Sequence, residues 1–363
     1  MDFAPTDNQQ TVRTLAAELL TDRCTPERLR AVEDSGDFDR TLWATLAEAG
    51  LLGVVVPEEH GGLGLGLVEL AVLLEEAGKA AAPVPVLALA LGATALVRHA
   101  SAAQQAALLP GIAAGETLVT AALTEPLGDE LSPATTARPH DGGWVLEGTK
   151  TCVPGGTYAD HVLVTAGTTD GPRLFLVDPR GPGVTVERQE TITWSPEALL
   201  LLDGAPAQLV GGEGAVADVV QVGQVAVCAL LVGIADQAVR ITAEYTRTRE
   251  QFGHPIGHFQ AVTQRLGDGF IDTTAMRLTT LQAVWRVAER LEADKEVAVA
   301  KFFASDGAQR VVRGAAHLHG GMGVSREYPL HRYYLAAKQL ELTLGGGTRQ
   351  LVRLGRLLAD EPV

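Results

Sequence analysis

The chain has 363 residues, 46% of them hydrophobic and 20% charged, with a formal net charge of -15. That much apolar mass builds two or three packed units and excludes a disordered chain. The acidic balance, with 29 scattered Lys and Arg residues, excludes the clustered basic footprint that nucleic-acid phosphates require. Cys24, Cys152 and Cys228 are odd in number, far apart and without metal-ligand spacing. No disulfide framework and no metal site is therefore expected, and the thiols suit a reducing cytoplasm. Met1 is followed by Asp2 and Asp7 rather than by a basic stretch and an apolar run, so no secretory signal is expected.

Three compositional regimes follow in chain order. Residues 1–117 read as a helical domain, with apolar residues at three-and-four spacing in Val12, Leu15, Ala16 and Leu19 and again in Leu67, Leu70, Val72, Leu73 and Leu74. Pro26 after Thr25 marks a helix start, and Gly61, Gly62, Gly64 and Gly66 form a turn. That turn lacks a preceding parallel-strand unit and the dinucleotide spacing, so it reads as a plain loop. Residues 118–210 shift towards period two, with strands expected at 118–124, 144–146, 161–165, 173–177 and 184–188 and turn residues between them. This is a compact antiparallel β domain. Residues 211–363 return to helix, in four long segments near 216–248, 260–291, 294–318 and 328–358, joined by short loops as in a bundle. The first of these contains the most apolar stretch, Val216 to Val239, but Asp218, Gln221, Gln224 and Asp236 interrupt it. It reads as a buried bundle helix rather than a membrane span.

Two stretches carry candidate binding chemistry. In Arg249-Glu250-Gln251-Phe252-Gly253-His254-Pro255-Ile256, a guanidinium at a helix end can fork onto phosphate oxygens, Phe252 supplies an apolar wall, and Gly253 lets backbone pass close. In His317-Leu318-His319-Gly320-Gly321-Met322-Gly323, two glycines offer bare backbone to a cofactor, and helix-terminal N–H groups favour a pyrophosphate. Helix capping and core packing are the structural alternatives for both.

Together these strings, with Phe259-Gln260 and Arg326-Glu327-Tyr328-Pro329, resemble the acyl-CoA dehydrogenase family over essentially the whole chain. The resemblance implies an α+β multidomain fold: an N-terminal helical domain, a central antiparallel β-barrel-like domain and a C-terminal four-helix bundle. It implies FAD as cofactor and α,β-dehydrogenation of a CoA thioester. It places Arg249, Phe252, Gln260, His317, Gly320 and Gly321 against the FAD of a neighbouring subunit, and Thr348 and Gln350 at FAD-contacting positions of the last helix. His317 stands where the family usually has Gln.

The family's chemistry needs a carboxylate base, and its positions fall here on Leu344 or Gly346, or on Gly223 in the first bundle helix. None can accept a proton, so no catalytic residue is assigned. Glu341 and Glu244 are the nearest carboxylates, on other faces or turns. The flavin cradle also departs from the family. Thr124-Glu125-Pro126 continues Leu127-Gly128-Asp129-Glu130 without the usual serine, Cys152 stands at the Trp position and Pro154 at the Thr position. The resemblance is thus to the non-catalytic subunit of the actinobacterial α2β2 heteromeric enzymes, notably those acting on sterol side chains. Such a chain is cytoplasmic, is no membrane or nucleic-acid binder, binds FAD at the interface with a catalytic paralogue, and serves an acyl-CoA substrate with electron-transferring flavoprotein as acceptor. The alternatives are a self-sufficient homo-oligomer with an unconventional base and a flavin-free scaffold.

Overall fold

The structure, a computed structural model, describes residues 4–193, 195 and 197–359. In chain order the elements are α1 (Asp7–Arg23), α2 (Pro26–Ser35), α3 (Arg40–Glu48), α4 (Leu67–Ala80), α5 (Val86–His99), α6 (Ala102–Ala113), β1 (Val119–Ala122), β2 (Thr136–His140), β3 (Gly143–Pro154), β4 (His161–Thr168), β5 (Gly171–Val177), β6 (Val184–Gln189), β7 (Glu197–Val210), α7 (Ala215–Thr248), β8 (Glu250–Gln251), β9 (His254–Pro255), α8 (Gln260–Ala288), α9 (Asp294–His319), α10 (Leu330–Leu342) and α11 (Gly347–Ala359). They form two compact units. One gathers residues 4–30, 71–82 and 224–359; the other comprises residues 31–70 and 83–223.

The second unit is built around the sheet. Strands run β1-β4-β2-β3-β7-β5, and β5 pairs back onto β4, which closes a barrel-like ring, with β6 paired to the first half of β7. Most pairs are antiparallel, but β1 and β2 each run parallel to β4. Two strands escape the sequence patterns. Thr-Ala-Arg-Pro-His of β2 has no alternation and contains Pro139, while β7 carries four leucines in a row, keeps β3 as a partner from 197 to 207, and exchanges β6 for β5. The ring is filled by Leu146, Val164, Phe175, Leu200 and Ala205, all 0 to 1% exposed, with Trp144 leaning on them. In the Gly-rich turn, a Cβ at Gly62 would lie 2.1 Å from the Val56 carbonyl oxygen, so that glycine serves packing.

The first unit is the helix bundle. α4 crosses α7 so closely that a Cβ on Gly78 would sit 2.3 Å from the Leu230 carbonyl oxygen, and one on Gly233 would sit 2.0 Å from that of Glu75. A buried network staples this crossing: Glu75 pairs with Arg13, Lys79 and Arg277, and Arg277 reaches on to Asp236. α7 alone among the described helices is long and apolar enough to cross a membrane, and 83% of that window is buried inside the protein. The expected fourth segment, 328–358, is a correction. It breaks into α10 and α11 because Leu344 (φ 56°) and Gly345 (φ 92°) adopt left-handed backbone.

Candidate functional site

The end of α7 builds the first edge. α7 stops at Thr248, and a two-residue hairpin follows in which Phe252 (φ 55°) and Gly253 (φ 80°) both take positive φ, the requirement of a type I′ turn between β8 and β9. This turn lifts Phe252 out of the protein. It is 90% exposed and stands T-shaped to Phe259, at 6.2 Å between ring centroids. Arg249 and Gln260 are exposed beside it, and Arg249 has no ion-pair partner among the described residues.

The end of α9 builds the second edge. Gly320 closes the helix at φ 59° and ψ -139°, a conformation open in practice to glycine alone. A Cβ at Gly320 or Gly321 would meet nothing within 4 Å, so the backbone here is bare. His317 is exposed, but His319, which sequence reasoning passed over, is 4% exposed. Its Nδ1 lies 2.8 Å from the Ala315 carbonyl oxygen and its Nε2 lies 3.1 Å from the Tyr328 hydroxyl. Burial pushes its pKa below the ordinary value, which keeps the ring neutral. A carbonyl can only accept, so Nδ1 carries the proton and Tyr328 donates to Nε2. The ring also stacks on Tyr245 at 4.2 Å, and the Arg249 amide donates to the Tyr245 carbonyl. That stack ties the two edges together. Arg249, Phe252, Gln260, His317, Gly320 and Gly321 thus share one open border of the bundle. It offers an unpaired guanidinium, an exposed phenyl face and bare backbone, which fits an adenosine diphosphate moiety.

Thr348 and Gln350 belong elsewhere. Gly347 packs against Phe302 and Ser305 of α9, about 18 Å along the helix axis from His317. Thr348 is exposed, and Gln350 is 2% exposed.

At the corner between α10 and α11, the neighbour of one of the family's base positions meets another of them. Gln224, next to Gly223, donates from Nε2 to the Leu344 carbonyl oxygen at 3.1 Å, and Leu344 is 5% exposed. The nearest carboxylates point to other partners. Glu341 pairs with Lys338 at 2.9 Å, and the exposed Glu244 pairs with Arg247 at 3.3 Å.

On the β domain, Glu125 of Thr-Glu-Pro is a pillar rather than a ligand. It accepts from Lys150 Nζ at 2.6 Å and from the Ala134 and Thr135 amides at 2.6 and 2.9 Å. β3 bulges at Thr151 and Cys152, where its register against β7 shifts. The Cys152 amide donates to Gln189 Oε1 at 2.8 Å, and the Thr151 hydroxyl bonds the same amide group. Burial raises the Cys152 thiol, which disfavours a reactive thiolate. Leu127 stands fully exposed at φ 58°. A flavin ring meeting this wall would find no indole, no amide at Pro154, and bulge donors already engaged by Thr124 and Gln189. The wall does not fit the ring.

Three family descriptions match the chain: acyl-CoA dehydrogenase N-terminal domain over residues 6–116, middle domain over 120–195 and C-terminal domain over 209–357. Acyl-CoA dehydrogenase FadE27 of Mycobacterium tuberculosis is 40% identical over the full length of both chains, and FadE28 of the same organism is 36% identical over 98% of each. Among solved structures, the ChsE4-ChsE5 complex from Mycobacterium tuberculosis aligns at a TM-score of 0.96 and 40% identity over 100% of both chains. A variant of the Tcur3481-Tcur3483 steroid ACAD aligns at 0.94 and 46% identity, over 97% of this chain and 98% of that one. The chain belongs to the acyl-CoA dehydrogenase family, FAD-binding oxidoreductases that act on CH–CH groups.

Proposed function

We propose that this chain is the non-catalytic subunit of a heteromeric, α2β2 acyl-CoA dehydrogenase. Its border of Arg249, Phe252, Gln260, His317, Gly320 and Gly321 grips the adenosine diphosphate half of an FAD whose ring rests on a catalytic paralogue. The observation that carries this reading is the pairing of an open border with a neutral corner. Every border residue named is exposed, whereas the base positions fall on Leu344, Gly346 and Gly223, none of which can accept a proton, and Gln224 beside Gly223 donates to the Leu344 carbonyl. Two of the similar solved structures are named as two-component assemblies, one of them a steroid ACAD. That supports a steroid acyl-CoA thioester as substrate; a cytoplasmic location and electron-transferring flavoprotein as acceptor belong to the same proposal.

Bound FAD supplies the hydride acceptor; the carboxylate that removes the α-proton belongs to the partner. This chain's part is binding: Arg249 would neutralise phosphate charge, the exposed Phe252 would offer an apolar face, and the bare Gly320-Gly321 backbone would allow close approach. With FAD and a steroid acyl-CoA supplied, the chain expressed with its paralogue turns over at ordinary rates, on the order of 1 to 10^3 per second, and the lone chain does not. Comparable turnover by the lone chain would establish the self-sufficient alternative.

A further inference from the structure

The α10–α11 corner is held by more than its own backbone. The last carbonyls of a helix lack intrahelical partners, and here three buried side chains from three other helices meet carbonyls of the last turn of α10 and of the corner after it. Lys301 on α9, 0% exposed, donates from Nζ to the Leu340 carbonyl oxygen at 3.2 Å, to that of Glu341 at 3.0 Å and to Ser305 Oγ at 3.0 Å. Gln224 on α7, 2% exposed, donates to the Leu344 carbonyl oxygen at 3.1 Å. Gln350 on α11 reaches back to the Leu344 and Gly345 carbonyl oxygens, both at 3.4 Å. Leu344, a branched residue in left-handed backbone, persists only where its surroundings over-determine it.

We propose that Gln224, Lys301 and Gln350 form a latch on this corner, and that Gln224 is the positioning residue that sets the first turn of α11. Two features single out Gln224. It is the latch member on α7, so it joins the corner to the longest helix of the bundle. Its Oε1 and that of Gln350 are buried without a hydrogen-bond partner among the described residues, so donation to the Leu344 carbonyl, not acceptance, is what holds each amide. A glutamate in place of Gln224 would set a carboxylate against that carbonyl. The amide is therefore a functional requirement of the corner. The first turn of α11 carries the exposed Thr348, apart from the border around Arg249, so fixing it fixes what this helix offers to another part of a docked FAD. This second step rests on the FAD reading above; the latch itself does not.

The test has two readouts on Gln224→Leu and Gln224→Glu. In the lone chain, amide hydrogen exchange over residues 343–350 should rise about tenfold in both variants, with α8 unchanged. In the complex with the paralogue, the FAD dissociation constant should rise about tenfold. Unchanged exchange at the corner, or a rise spread evenly over the bundle, would overturn the latch. Faster exchange with unaltered FAD affinity would overturn the positioning role. A wild-type complex that binds no FAD would overturn the functional reading and leave the exchange result to decide the latch.

Discussion

Replacing Lys150 by Met lowers the stability of the chain by about 3–5 kcal/mol, the cost of leaving a buried carboxylate unpaired. Lys150 is 0% exposed, and its ammonium bonds Glu125 at 2.6 Å and Thr165 Oγ1 at 2.9 Å. Burial alone would raise Glu125, but the hydrogen bonds from Lys150 and Thr135 outweigh it and hold the carboxyl below its usual range. The sign follows from linkage. A depressed carboxylate stabilises the fold fully above its unfolded pKa, and that contribution is lost as pH falls through the folded value. In Lys150→Met the carboxyl loses its strongest partner and protonates earlier, so the gap from wild type narrows as pH drops from about 7 to about 4. Lys150→Met with Glu125→Met is less damaging than the single change, because no charge is stranded. Calorimetry across this pH range checks the account. A single variant within about 0.5 kcal/mol of wild type at neutral pH would contradict it.

Arg249→Ala weakens FAD binding by the heteromeric complex about 10- to 100-fold, the worth of a charge-assisted hydrogen bond of roughly 1.5–3 kcal/mol. The stability of the lone chain should not change, because Arg249 is exposed and makes no ion pair among the described residues. That separates lost binding from lost folding. Arg249→Lys recovers the charge but not the fork, so it restores only part of the affinity, and the wild-type advantage shrinks as salt rises. Flavin fluorescence titration at two ionic strengths measures both effects. Equal FAD affinity in Arg249→Ala would remove Arg249 from the border.

Much of this was legible because turn chemistry speaks locally. Gly253 marks a turn after the long helix, and short apolar or alternating runs bounded by turn residues mark β4, β5 and β6. What escaped was set by tertiary context. A lysine in a strand reads as surface, yet the barrel buries Lys150 by giving it Glu125. His317 and His319 look equivalent until Tyr245 and Tyr328 claim the second. A leucine does not advertise a left-handed break, and nothing in the run from 328 to 358 foretold that Gln224 would reach Leu344 across 120 residues. Nor does spacing alone reveal that Thr348 and Gln350 stand apart from the border formed by Arg249 and His317.

The flavin content of this chain, purified alone and then together with its catalytic paralogue, tests the central claim most directly, through visible absorbance and FAD counted per polypeptide. A colourless lone chain and a yellow complex with about one FAD for every two chains is the predicted result. Full flavin on the lone chain would contradict it, because the β wall around Cys152 and Pro154 would then hold a ring that it does not fit.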